Sequence, residues 1–191
     1  MLFIGLFTAI LAACGPALPS SITLPLASPS PGATSLPTAT IKPTILLTSP
    51  AFANGQPIPV EYTCQGSNRS PELEWKGVPA TARSLALIVE DPDAPAGTFT
   101  HWVLANIPSV AANLAAGQPA PQGSADGKND SGRTGYTGPC PPPGKVHHYI
   151  FTLYALDHVL SLDDNPSKTS VLSAMSGHIL ATGQLVGTYQ R

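Results

Sequence analysis

The feature that most restricts this chain is a succession of short, β-rich apolar runs, each closed by Pro, Gly or Asn. "TILLTS", "PVEYTC" and "SLALIVED" follow one another from Thr44, and the third is apolar enough to be buried on both faces. "TFTHWVLANI" alternates, so a strand there carries Phe99, His101, Val103 and Ala105 on one face. "HHYIFTLYALD" carries His147, Tyr149, Phe151, Leu153 and Ala155 on one side, and "QLVGTYQR" reads as a last strand. A single stretch, "SKTSVLSAMSGHILATG", has helical spacing. Val171, Leu172, Met175, Ile179 and Leu180 share a stripe, a Ser or Thr caps the start, and Gly183 follows the end. Many strands and one late helix predict a mainly β fold, a β-sandwich with a peripheral C-terminal helix.

The residues before Thr44 obey different rules. No Asp, Glu, Lys or Arg occurs before Lys42, although the chain as a whole is 10 % charged with a net charge of −2. The start, "MLFIGLFTAILAAC", is an apolar run shorter than the ~20 residues that a spanning helix needs. It fits the apolar region of an export signal. Leu11-Ala12-Ala13-Cys14 also resembles the lipobox of bacterial lipoproteins, in which the thiol is lipid-modified and the preceding peptide removed. The alternatives are a plain signal peptide or an apolar tail with an incidental cysteine, and the usual positively charged start is missing, since only Met1 precedes the apolar run. Residues 15–43 are rich in Pro, Ser and Thr and have too little apolar surface to offset the entropy of ordering. The organisation expected is a lipoprotein-type signal over 1–13, a tether over 14–43 beginning at the lipidated Cys14, and a folded domain over 44–191. The domain would then stand outside the cytoplasm, anchored to the cell membrane through lipid. In such a compartment Cys64 and Cys140 are an even pair suited to a disulfide, with two free buried thiols as the alternative.

Chemistry concentrates in two places. Asp91-Pro92-Asp93-Ala94-Pro95 follows the most apolar strand, and each proline biases the residue before it toward extended angles. The segment therefore delivers two carboxylates on a stiff corner, and the turn through Ala96-Gly97 brings His101 back toward them. If the faces of His101 and His147 look toward one pocket, Asp91, Asp93, His101, His147 and Tyr149 converge there. The plainer alternative is that the aspartates cap turn NH groups. Residues 111–144 have little periodicity, and a loop this long in a compact domain suits the wall of a site. Two carboxylates and two imidazoles would accept zinc or manganese, but no metal-ligand spacing such as His-x-x-x-His occurs. No Gly-x-Ser-x-Gly, phosphate-binding loop or dinucleotide fingerprint is present, and no basic stripe suits nucleic acid. Binding of a small ligand is the more economical reading.

"DPDAP", "HWV", "NIP", "GYTGPCPPPGKVHHYIFTLYALD" and "GTYQR" together resemble the phosphatidylethanolamine-binding protein family. "YTCQGSNRSPELEW" and "GKND" resemble its bacterial and archaeal branch, labelled Raf-kinase-inhibitor-like. The resemblance runs from about Thr44 to Arg191, with the motifs in the family's order. It implies a β-sandwich with a small anion-accepting pocket at one end. With no catalytic motif in the chain, no catalytic residue, metal or cofactor is expected. Family ligands include phosphate, acetate, phosphorylethanolamine-like head groups and nucleotides. The matching pocket residues are Asp91, Asp93, His101, Gly138, Pro139, Pro141, His147 and Tyr149. His148 stands where the family has Arg, and alternation turns it away from the pocket. A phosphate beside two ionised aspartates would be repelled. The carboxylates are therefore expected to orient a histidine, brace the Pro-rich loop or meet a ligand ammonium. Two other function classes stand beside the binder. One is a protein-interaction module or inhibitor of an extracellular enzyme; the other is a hydrolase or metal-dependent enzyme using the same pocket. Either a monomer or a homodimer is compatible with this reading.

Overall fold

The computed structural model describes residues 44–191. The expected signal, the lipidated Cys14 and the tether lie outside the described residues. Among the described residues, nine strands form two sheets, and one α-helix packs beside them. The strands are β1 (Leu46–Thr48), β2 (Gln56–Pro57), β3 (Leu73–Lys76), β4 (Ser84–Asp91) and β5 (Phe99–Pro108), then β6 (Asn113–Leu114), β7 (Ala125–Asp126), β8 (His147–Leu156) and β9 (Ile179–Tyr189). Helix α1 covers Lys168–Met175. The small sheet has the order β1-β3-β6, and the large sheet β2-β9-β8-β4-β5-β7. Central pairings are antiparallel, and β2 adds to β9 in parallel.

The large sheet is covered on both sides, which explains the unbroken apolar run of β4. Leu85, Leu87, Val89, Phe151, Leu153 and Leu185 face the small sheet and meet Leu47, Leu73 and Trp75 there. On the opposite face Ala86, Ile88, Val103 and Ala105 pack under Val171 and Met175 of α1. The result is a mainly β sandwich with one peripheral helix, as the pattern of the runs predicts.

Three local expectations need correction. The helix ends at Met175, and Ile179 and Leu180 open β9 instead of completing a helical stripe. Gly177 adopts a φ of +83°, which stops the helix, and pairing of Ile179 with Leu156 then recruits the chain into the sheet. Gly183 is thus no helix terminator. It lies within β9, where a Cβ would stand 2.3 Å from the Ile45 carbonyl oxygen. "PVEYTC" is not a strand either. Pro59 removes a ladder donor, and Val60–Tyr62 form a 3-10 turn, with the Thr63 hydroxyl donating to the Val60 carbonyl.

The third correction concerns β5. Val89 faces Trp102, but Glu90 faces Thr100, so His101 is an extra residue with no partner across the ladder. Strict alternation would put His101 with Val103 and Ala105, which lie on the helix side. The bulge breaks that phase. His101 instead packs between Phe99 and Tyr149, with ring centroids 4.9 and 5.1 Å away.

Candidate functional site

A cavity of about 310 Å³ opens where β4 and β5 are joined and β8 begins. Asp91 ends β4 and His147 starts β8, while Phe99 and His101 come from the first residues of β5. The connection from Asp91 to Phe99 contributes Ala94 and Pro95. The long segment before β8 contributes Ser131, Thr137, Gly138, Cys140, Pro141 and Pro142, and so forms a wall of the cavity.

Each polar group at the floor is held by a second one. Asp91 is 3 % exposed, and its Oδ2 lies 2.7 Å from His147 Nδ1. Asp91 Oδ1 accepts the Asp93 amide at 2.8 Å, a tight Asx-type turn that fixes the corner. His101 Nδ1 lies 2.7 Å from the Thr137 carbonyl oxygen, and Thr137 N–H donates to the His101 carbonyl at 2.9 Å. A carbonyl only accepts, so His101 carries its proton on Nδ1. Burial lowers the pKa of His101, opposed by the bond to Thr137 and by Asp91 and Asp130. His101 is therefore neutral at neutral pH, with an unprotonated Nε2. In both histidines Nδ1 is occupied by the protein and Nε2 is left over.

The wall is pinned to residues 62–68. Cys64 and Cys140 form a disulfide with a Cα–Cα distance of 5.4 Å, so the paired alternative holds. The Cys64 amide donates to the Pro139 carbonyl at 3.0 Å, the Gly138 amide to Asn68 Oδ1 at 2.8 Å, and the Tyr136 hydroxyl to the Tyr62 carbonyl at 2.8 Å. Gly138 has to be glycine here, because a Cβ would stand 2.3 Å from the Tyr62 carbonyl oxygen. Buried Asn129 organises the preceding turn. Its amide donates to Gly135 O and Thr137 Oγ1, and its Oδ1 accepts from Ser131 and Arg133.

Of the residues named from sequence, Asp91, His101, Gly138, Pro141 and His147 line the cavity. Asp93, Pro139 and Tyr149 do not. Asp93 turns outward, its Oδ2 meeting both the amide and Nδ1 of His148 at 2.8 and 2.7 Å. Those bonds hold the Asp93 carboxyl below its usual range. Tyr149 is 1 % exposed and packs edge-to-face against His101, and its hydroxyl has no hydrogen-bond partner among the described residues. Burial and the nearby Asp91 push ionisation of that hydroxyl up. Phe99, Ser131, Thr137 and Pro142 also line the cavity and are not among the residues expected there from the sequence. Phe99 alone had a legible signal, its alternation within β5; the other three depend on how the loop folds.

A model of the phosphatidylethanolamine-binding protein family matches residues 48–190. The chain belongs to the phosphatidylethanolamine-binding protein family. A UPF0098 protein of Methanothermobacter thermautotrophicus is 53 % identical over 145 residues, 74 % of this chain and 95 % of the relative. The crystal structure of a phosphatidylethanolamine-binding protein homologue, CT736, from Chlamydia trachomatis superposes with a TM-score of 0.74 at 46 % identity, covering 78 % of this chain and 98 % of that one. A protein of Mycobacterium tuberculosis designated as a candidate lipoprotein, LppC, is 42 % identical over 178 residues, 92 % of this chain and 82 % of the relative. No helix among the described residues is long and apolar enough to cross a membrane.

Proposed function

We propose that this member of the phosphatidylethanolamine-binding protein family binds a small oxyanion or phosphate-bearing head group, and is displayed outside the cytoplasm as a lipid-anchored protein. One observation carries the binding reading. Two buried imidazoles line one cavity, each with Nδ1 engaged by the protein, at 2.7 Å in both cases, so that each offers only Nε2 to an occupant. A neutral Nε2 accepts a hydrogen bond, and a protonated one donates. A phosphate monoester, with a second pKa near ~6, presents both P–O⁻ and P–OH groups and suits either state. Asp91 orients His147, Asp93 braces the outer corner, and no Lys or Arg among the described residues lines the cavity. That charge balance favours a weakly charged or zwitterionic occupant over a polyanion. The lipobox of Cys14 and the relative designated as a candidate lipoprotein support the membrane-anchored address.

Calorimetric titration of the full chain with phosphorylethanolamine, and separately with inorganic phosphate, tests the assignment. One saturable site is expected. His101→Ala and His147→Ala should each weaken it by roughly tenfold or more, as loss of a charge-assisted hydrogen bond does. Undiminished binding in both variants refutes the site. A hydrolase reading draws on the Asp91–His147 pair, with Ser131 lining the same cavity. The Ser131 hydroxyl, however, lies 2.6 Å from Asn129 Oδ1 and donates there, which favours binding over nucleophilic attack. Turnover of simple ester or phosphoester substrates that is lost in Ser131→Ala would reverse that preference.

A further inference from the structure

A second cluster of ligand-type side chains sits at the opposite end of β8. Asp157 follows the last residue of β8, His158 is next in the chain, and His178 immediately precedes β9. Asp157 Oδ1 lies 3.0 Å from His158 Nδ1 and 2.9 Å from His178 Nδ1, and the two ring centroids are 3.8 Å apart. One ligand atom from each residue fits within 4.8 Å of the others.

The backbone holds all three residues in place. The Asp157 amide donates to the His178 carbonyl at 3.1 Å, extending the β8–β9 ladder by one rung. The His158 carbonyl accepts the Ser84 hydroxyl at 2.6 Å, and the His178 amide donates to Met175 at 3.0 Å. Such a set is organised before any ion arrives. Its dimensions are also near those of a first coordination shell. Tetrahedral ligands at ~2.0–2.1 Å from an ion stand roughly 3.3 Å apart, so the two separations from Asp157 need to open by only a few tenths of an ångström. The side chains are 36 to 45 % exposed, which leaves room for water to complete the shell.

We propose that Asp157, His158 and His178 bind a late first-row divalent metal ion, of the zinc class, through Asp157 Oδ1 and the two Nδ1 atoms. Two imidazoles and one carboxylate match the softness of Zn²⁺ and its neighbours rather than Ca²⁺ or Mg²⁺. A ring that ligates through its Nδ1 lone pair carries its proton on Nε2. Three protein ligands with an open position describe an exchangeable site rather than a closed structural one. The site is independent of the cavity.

The test is titration of the purified, chelator-treated full chain with ZnCl₂. One equivalent should bind, and the midpoint of thermal unfolding should rise with zinc. Asp157→Asn and His178→Ala should each weaken binding by at least about tenfold, since even lost outer-shell partners cost that much. His147→Ala, in the cavity, should leave it unchanged. In the wild-type chain, zinc should shift the ring NMR signals of His158 and His178 and leave those of His101 and His147 in place. Four results would each overturn the site: no saturable binding, binding that survives both variants, binding lost with His147→Ala, or ring shifts confined to His101 and His147.

Discussion

His101 sets the acid response of the site. Its burial keeps the ring neutral, and Asp91 and Asp130 favour the cation while His147 opposes it. A histidine whose folded pKa lies below the unfolded value of ~6.5 contributes stability that is fully present above that value and lost as pH falls through the folded pKa. Binding of a fully ionised oxyanion runs the other way, because an anion that brings no proton needs one at Nε2. Thermal melts of the full chain between pH 8 and 5.5, with and without sulfate, should therefore diverge. The bare protein should lose midpoint temperature on acidification, while the added stabilisation by sulfate grows. A sulfate increment that is flat across this range counts against proton-coupled anion binding, and His101→Asn should flatten it.

At the scale of elements, the Cys64–Cys140 bridge joins the cavity wall to the segment beneath it across 76 positions. Replacing both cysteines with alanine should destabilise the domain by roughly 2–5 kcal/mol, measured by denaturant unfolding. An unchanged midpoint would mean that the hydrogen bonds around Gly138 hold the wall alone. The elements also separate what was legible in the sequence from what was not. β4 and the face of β8 follow directly from apolar runs and alternation, because the ladder between these two strands runs without a register shift. The bulge at His101 has no composition signal, being a property of how β4 and β5 register against each other. Ile179 and Leu180 satisfy helical and strand patterns alike, and a partner strand distant in sequence decides between them. Among the named cavity residues, Asp91, His101 and His147 stand out as polar groups ending apolar strands. Asp93 could be placed only once the turn and His148 were visible, since the two carboxylates are two residues apart and point to different partners.

For the molecule as a whole, the proposed anchor makes a simple prediction. Cys14→Ser should move the protein from the membrane to the soluble fraction, followed by fractionation and immunoblotting. A variant that stays membrane-bound would mean that the apolar start holds it in another way. The described domain also has a direction. Ile45, its second described residue, donates to the Thr182 carbonyl at 2.8 Å, and Thr182 pairs with Tyr154 near the Asp157 end of the ladder. Tyr189 pairs with His147 at the cavity end. These rungs lie seven residue steps apart along β9, roughly 20–25 Å at the usual rise of a strand. Mechanical load entering through Thr44 therefore falls first on the rungs at Thr182, far from Asp91 and His147. A pulling experiment anchored through the residues before Thr44 should therefore break the Ile45–Thr182 rung before any contact of the cavity floor.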